Sequence, residues 1–267
     1  MTIGFIGTGN MGGALSRAVA AAGTGSELLL SNRTEAKAAA LAEELGGTVS
    51  DNKTIAERAD YIFLGVKPQA LGEVLGEIGG LLSFRADRFV LVSMAAGVTI
   101  RSLRQQCARD CPVIRIMPNT PVSVGEGVIL YAQSEDVTDA EEAALLSLLG
   151  KAGCLSKIPE PLIDAGSAVA GCGPAFVDML IEALADGGVA CGLPRKEALE
   201  YAARMTAGAA KLILETGEHP AALKDAVCSP GGSTIAGVRA LERGGFRAAA
   251  MEAVAAAYAR TTELGKG

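Results

Sequence analysis

The stretch that decides the fold is Ile3-Gly4-Phe5-Ile6-Gly7-Thr8-Gly9-Asn10-Met11-Gly12. An apolar run of strand character leads straight into a G-x-G-x-x-G turn, and a helical pattern continues from about Met11 to Ala22. Strand, glycine turn and helix in that order is the context in which this motif holds a dinucleotide. Gly7 allows the tight turn, Gly9 lets the backbone approach a pyrophosphate, and Gly12 permits close contact between helix and strand. The start of the helix, at Asn10 and Met11, attracts the phosphate charge. Ile6, Gly7, Gly9, Asn10, Met11 and Gly12 are therefore expected to bind a cofactor.

Further apolar runs follow at Leu28–Leu30, Tyr61–Leu64, Phe89–Val92 and Val113–Ile116, and Gly127–Tyr131 reads as an edge strand. Helical stretches over Glu35–Leu45, Ala70–Ile78 and Asp139–Leu149 separate them. Apolar strands alternating with helices indicate an α/β domain with a doubly wound, mostly parallel sheet covered on both faces. The pattern changes near Glu160. Beyond Asp164 no strand is expected, and Pro174–Ala190, Lys196–Glu215, Pro220–Val227, Thr234–Leu241 and Phe246–Leu264 read as helices. The expected boundary is 1–160 for the sheet domain and 161–267 for an all-α domain. In the helix after Pro174, Phe176, Val177, Met179, Leu180, Ile181 and Leu184 leave little polar face, so it should be buried on most sides. An alanine-rich helical half has few large side chains for a core of its own. It is expected to pack against a second copy.

Bulk composition narrows the function. The chain has 267 residues, 49% hydrophobic and 20% charged, which suits a folded protein and not a disordered one. Its net charge of −6 carries no basic block, so nucleic acid is not an expected partner. The longest uncharged run, Met1–Ser16, is interrupted by glycines, and no apolar run of about 18 residues is found for a membrane span. No signal peptide is expected, because no basic segment opens the chain. The expected location is cytoplasmic. The six cysteines form no C-x-x-C pair, so free buried thiols are expected and no metal site. The single histidine, His219, reads as a solvated residue at a helix start.

Three more motifs carry chemistry. Ser31-Asn32-Arg33-Thr34 ends the second strand where an NAD site usually places an acid. Arg33, with Ser31 and Asn32 beside it, suits a 2′-phosphate, because a guanidinium matches its oxygens. Val66-Lys67-Pro68 and Met94-Ala95-Ala96 follow strands at their carboxyl ends, where ligand crevices form. Finally, Cys228-Ser229-Pro230-Gly231-Gly232-Ser233-Thr234-Ile235 precedes a helix. Its free amides suit a small carboxylate. An ordinary Ser or Thr helix cap after a Pro-Gly turn explains the same residues.

These residues together resemble the pyrroline-5-carboxylate reductase family. The resemblance rests on Cys228–Thr234, on Leu241-Glu242-Arg243-Gly244-Gly245-Phe246-Arg247, on Val66-Lys67-Pro68, on Ala95–Ile100, on Asn119-Thr120-Pro121 and on Ala183–Val189 with Gly192-Leu193-Pro194. It spans nearly the whole chain. It implies a Rossmann domain followed by an all-α dimerisation domain, and NAD(P)H-dependent reduction of 1-pyrroline-5-carboxylate to L-proline. It implies that Thr234 hydrogen-bonds the ring nitrogen of the substrate and is the catalytic residue, with Gly231, Gly232, Ser233 and Thr234 around the carboxylate. It further implies Glu160 as a substrate-binding residue, Asn52 and the Val66–Pro68 loop as cofactor contacts, and a homo-oligomer built through the C-terminal helices. The chain departs from the family's Ser-Gly-Ser-Gly-Pro-Ala-Tyr pattern with Ala170-Gly171-Cys172-Gly173-Pro174-Ala175-Phe176, and Ala226 replaces an asparagine. A β-hydroxyacid dehydrogenase would carry a lysine four residues after Gly173, where Val177 stands. A non-catalytic NADPH-binding sensor is the other alternative.

The expected cofactor is NADPH, with NADH as the alternative donor. Replacing Arg33 by alanine should raise the KM for NADPH about tenfold, the scale of one charge-assisted contact. An unchanged KM would refute the 2′-phosphate reading.

Overall fold

The structure, a computed structural model, describes residues 1–107 and 111–264. It divides into two compact units, Met1–Cys172 together with the residues from Ala257, and Gly173–Ala256.

In the first unit the chain runs β1 (Thr2–Ile6), α1 (Asn10–Ala21), β2 (Glu27–Ser31), α2 (Glu35–Leu45), β3 (Thr48–Val49), α3 (Asn52–Arg58), β4 (Tyr61–Leu64) and α4 (Pro68–Phe84). It continues with β5 (Val90–Ser93), α5 (Ile100–Gln106), β6 (Val113–Met117), β7 (Gly127–Gln133), α6 (Asp139–Leu149), β8 (Gly153–Lys157) and α7 (Ile163–Ala170). The sheet order is β3-β2-β1-β4-β5-β6-β7-β8. All neighbours are parallel except β6 and β7. Strand order reverses between β1 and β4, so the carboxyl ends there face the crevice expected of a doubly wound sheet.

The alternation of side chains along each strand builds two cores. Ile3, Phe5, Leu28, Leu30, Tyr61, Phe63, Val90 and Val92 share one face with residues of α1, α2 and α6. Ile6, Leu29, Ile62, Leu64 and Leu91 share the other with residues of α3, α4 and α5. Phe5 and Phe63 stack across β1 and β4 with ring centroids 4.4 Å apart. A sheet buried on both faces explains why these strands read as continuous apolar runs.

Sequence periodicity missed the short or polar elements β3, α3, α5, α7 and β8. It also placed β7 at the edge, whereas β7 lies between β6 and β8. The edge on that side, β8 (Gly-Cys-Leu-Ser-Lys), mixes polar and apolar residues and is half exposed, so it carries no core-strand signature. β8 joins β7 through paired glycines, Gly127 and Gly153. A Cβ on Gly153 would lie 2.1 Å from the Gly127 carbonyl oxygen, and Gly153 has φ +133°.

The second unit holds α8 (Gly173–Ala190), α9 (Arg195–Thr216), α10 (Pro220–Ala226), α11 (Ser233–Arg243) and the start of α12 (Phe246–Leu264). Its buried apolar cluster is Ala185, Ala198 and Ala202, with Ile181 and Val189 packed beside them. The expectation that α8 is buried on most sides is corrected within the single chain. Ala185 is its one buried residue among those described, and Met179 is 69% exposed. The expectation of no membrane-length run is also corrected. By length and composition the helical run Glu160–Ala190 would qualify, although Asp164, Asp178, Glu182 and Asp186 interrupt its apolar sequence. A count of uninterrupted apolar residues passes over such a run.

Gly153→Ala should lower stability by about 2 kcal/mol, since a positive φ and a backbone clash both penalise a side chain. Urea unfolding measures it, and an unchanged midpoint would rule out this pairing of β7 and β8.

Candidate functional site

The turn after β1 is built backbone against backbone. Gly7 takes φ +98°, which favours glycine, and its amide donates to the Ser31 carbonyl at 2.9 Å. A Cβ on Gly12 would stand 2.1 Å from the Gly7 oxygen, and one on Gly65 2.3 Å from the same atom. Gly9 differs. It is the exposed N-cap of α1, it makes no side-chain cap, and a Cβ there would meet nothing within 4 Å. The uncapped first amides of α1, at Asn10, Met11 and Gly12, and the open space over Gly9 fit a pyrophosphate. Thr8 Oγ1 is buried there with no hydrogen-bond partner among the described residues.

A crevice of about 820 Å³ opens at the carboxyl ends of β1, β2 and β4. It brings together Ile6, Gly7, Gly9, Ser31, Asn32, Arg33, Asn52, Val66 and Lys67. Of the other expected cofactor residues, Asn10, Met11 and Gly12 form the first turn of α1, Pro68 opens α4, and Met94, Ala95 and Ala96 follow β5. These seven do not line the crevice. Arg33 and Lys67 are exposed and make no ion pair among the described residues, so both cations are free for an anionic ligand.

The opposite wall is acidic. Asp51 caps α3 by accepting from the Thr54 amide at 2.7 Å, and that bond holds its carboxyl below the ordinary range. The Ser31 hydroxyl donates to Asn52 Oδ1 at 2.6 Å, and Asn52 Nδ2 donates to Glu77 Oε2 at 2.7 Å. These two bonds define which end of the Asn52 amide faces which neighbour. Sequence reading missed Glu77, because it arrives from α4 and no local pattern marks it.

Glu160 lines a separate cavity of about 520 Å³ with Ile100, Arg101 and Gln133 among its walls. Its Oε1 accepts from the Ile100 amide at 2.7 Å, and the buried Arg115 of β6 lies nearby. Sequence reading placed Arg115 in a strand and assigned it no role. A charge inside an apolar strand was the signal available.

In the second unit, Gly231 turns the chain with φ +71° and Gly232 is the N-cap of α11. No side chain caps the helix. The helix-cap explanation of Ser233 and Thr234 therefore does not describe this loop: both belong to the first turn, and both are exposed. The hydroxyl of Thr234 has no hydrogen bond among the described residues, and the opening amides of α11 have no side-chain partner.

Remaining candidates are structural. His219 caps α10, its Nδ1 accepting from the Ala221 amide at 3.2 Å. Cys107 and Cys111 are buried with sulfurs 3.7 Å apart, but Cys154 and Cys191 are exposed, so buried thiols describe only part of the set. The contact with Cys107 and burial raise the Cys111 pKa.

A family model described as "Pyrroline-5-carboxylate reductase dimerisation" matches residues 160–264. One described as "NADP oxidoreductase coenzyme F420-dependent" matches residues 2–97. Pyrroline-5-carboxylate reductase of Escherichia coli (strain K12) is 42% identical over 267 residues, covering 99% of this chain and 98% of the relative. The chain belongs to the pyrroline-5-carboxylate reductase family. Pyrroline-5-carboxylate reductase 2 of Homo sapiens is 40% identical, covering 99% of this chain and 84% of the relative. The crystal structure of Plasmodium falciparum pyrroline carboxylate reductase with NADP bound has a TM-score of 0.87 at 30% identity, covering 99% and 98% of the two chains. The oxidoreductase match spans β1 to β5 and the glycine turn, and the dimerisation match begins at Glu160.

Two glycines separate ligand binding from folding. Gly9→Ala should leave thermal stability unchanged and weaken NADPH binding about tenfold, by keeping the backbone from the pyrophosphate. Gly12→Ala should lower the melting temperature, because its Cβ has no room. Fluorescence titration and thermal melts test both. Equal melting losses would show that Gly9 is a folding residue only.

Proposed function

We propose that the chain reduces 1-pyrroline-5-carboxylate to L-proline with NADPH as donor, NADH being the alternative, as a cytoplasmic homo-oligomer joined through its C-terminal helices. The observation that carries this reading is 42% identity to a pyrroline-5-carboxylate reductase across nearly the full length of both chains.

The substrate is a cyclic imine, electrophilic at its C5, and more so when the nitrogen is protonated. NADPH, when bound, supplies the hydride to that carbon. The protein's task is to position and neutralise. Ile6, Gly7, Gly9 and the start of α1 receive the pyrophosphate, and Arg33 with Ser31 and Asn32 receives the 2′-phosphate. Val66, Lys67, Pro68, Met94, Ala95 and Ala96 border the nicotinamide end with small or backbone groups. In the second unit, the amides around Gly232, Ser233 and Thr234, after the turn at Gly231, hold the substrate carboxylate. The Thr234 hydroxyl hydrogen-bonds the ring nitrogen and relays to it a proton from solvent, which with the hydride completes the amine. Glu160 is a further substrate-binding residue. No covalent nucleophile or metal has a part in these steps.

The exposed apolar residues of the second unit support the homo-oligomer. Met179, Tyr201, Met205, Leu214 and Met251 are all more than half exposed in the single chain. Large apolar side chains left exposed in this number are what an interface would cover. The dimerisation match over 160–264 favours a second copy over a bilayer as the cover for Glu160–Ala190. The working boundary is residue 160, with the cofactor held before it and the dimer and carboxylate site after it.

The deciding assay follows NADPH absorbance with and without pyrroline-5-carboxylate, in parallel with NADH. Substrate-dependent oxidation with lower KM for NADPH is expected. Tight NADPH binding without turnover would mark a sensor instead. Thr234→Ala should lower kcat on the order of 10²-fold, the usual loss for a polar group that supports a developing charge. Full activity would remove Thr234 from the mechanism.

A further inference from the structure

We propose that Arg115 is a positioning residue for the reaction, holding Glu160 so that one carboxylate oxygen is left for the substrate. The inference rests on the role given above to Glu160.

Arg115 is the middle residue of β6, flanked by Val113, Ile114, Ile116 and Met117, and its side chain is 2% exposed. A guanidinium keeps its charge at any physiological pH, so its burial demands anionic partners. Both come from the segment after β8. Nη2 donates to Asp164 Oδ1 at 2.6 Å, and Nη1 stands 3.8 Å from Glu160 Oε1. That same Oε1 accepts the Ile100 amide at 2.7 Å. One oxygen of Glu160 is thus engaged from two sides, by a strand cation and by the backbone at the start of α5. Oε2 makes no hydrogen bond among the described residues, and Glu160 lines the 520 Å³ cavity.

The sharing is uneven in a telling way. Arg115 does not form a two-pronged pair with one acid. Its Nε has no acceptor among the described residues, while its two terminal nitrogens serve two carboxylates. A buried ion pair adds little to stability compared with a well-packed apolar residue of the same size. Stability alone is therefore a poor reason for an arginine here. Holding two acids four residues apart against their mutual repulsion is a better one. It leaves Glu160 oriented, with a free oxygen suited to the positive charge of a protonated imine.

The test compares Arg115→Met, Arg115→Lys, Glu160→Gln and the double variant Arg115→Met/Glu160→Gln in steady-state kinetics with both substrates varied. Glu160→Gln and Arg115→Met should each raise the KM for pyrroline-5-carboxylate about tenfold or more and leave the KM for NADPH unchanged, as expected for loss of one partner of a buried charge pair. Arg115→Lys should fall between wild type and Arg115→Met. The double variant should be no worse than Glu160→Gln, because the two residues act as a unit. Additive losses in the double variant, or equal rises in both KM values, would overturn the proposal by showing a general structural role. A rise in Glu160→Gln with none in the Arg115 variants would overturn it while sparing Glu160. No change in Glu160→Gln would remove the role of Glu160, and the proposal with it. Should Arg115→Met fail to fold, Arg115→Lys carries the comparison: a raised KM for pyrroline-5-carboxylate alone supports the proposal, and an unchanged one overturns it.

Discussion

Three backbones meet without side chains between them where Gly7, Gly12 and Gly65 come together. The carbonyl of Gly7 occupies the space that a Cβ on either of the others would need. This contact sets the start of α1 against the ends of β1 and β4, the two strands at which sheet order reverses. The crevice lies at that reversal, so its location follows from a packing constraint on three glycines. The open face of Gly9 is the counterpart: the same turn that is closed toward the protein is open toward a ligand.

The two units reach stability by different routes. The first fills both faces of its sheet with alternating large apolar residues from every central strand. The second has a buried cluster of three alanines and leaves its large side chains outward. Small side chains allow close helix packing but remove little apolar area from water, and burial in proportion to area is what stabilises. Under the proposed homo-oligomer, a second copy supplies the missing burial, and folding of this half is coupled to assembly.

Two buried arginines show how similar groups serve different ends. Arg85 donates from Nη1 to the carbonyls of Ala56 and Ala59, both at 2.8 Å, pairs with Asp87, and lies over the Phe89 ring at 4.9 Å. It ties the end of α3 to the strand that follows α4, a structural task. Arg115 has a nitrogen with no acceptor among the described residues and two acids on one short segment, one of which borders a cavity. Burial is common to both, and the partners distinguish them.

Local signals were enough for the central strands, the long helices and the glycine turn after β1, because each needs only neighbouring residues: a run of apolar β-formers, a helical period, a glycine where φ is positive. They also placed Arg33 and Lys67 after strands and Gly231–Thr234 at the start of a helix, since turn chemistry and strand ends are local features. They failed where a role depends on residues far apart in the chain. β8 is a strand because β7 pairs with it, and its own composition says little. Glu77 meets Asn52, Arg115 meets Glu160 and Asp164, and Ser31 meets Asn52 only after the sheet brings them together. Exposure of α8 likewise could not be read from its apolar sequence. A helix apolar on all sides shows that something covers it, whereas what covers it depends on surfaces that no single segment contains.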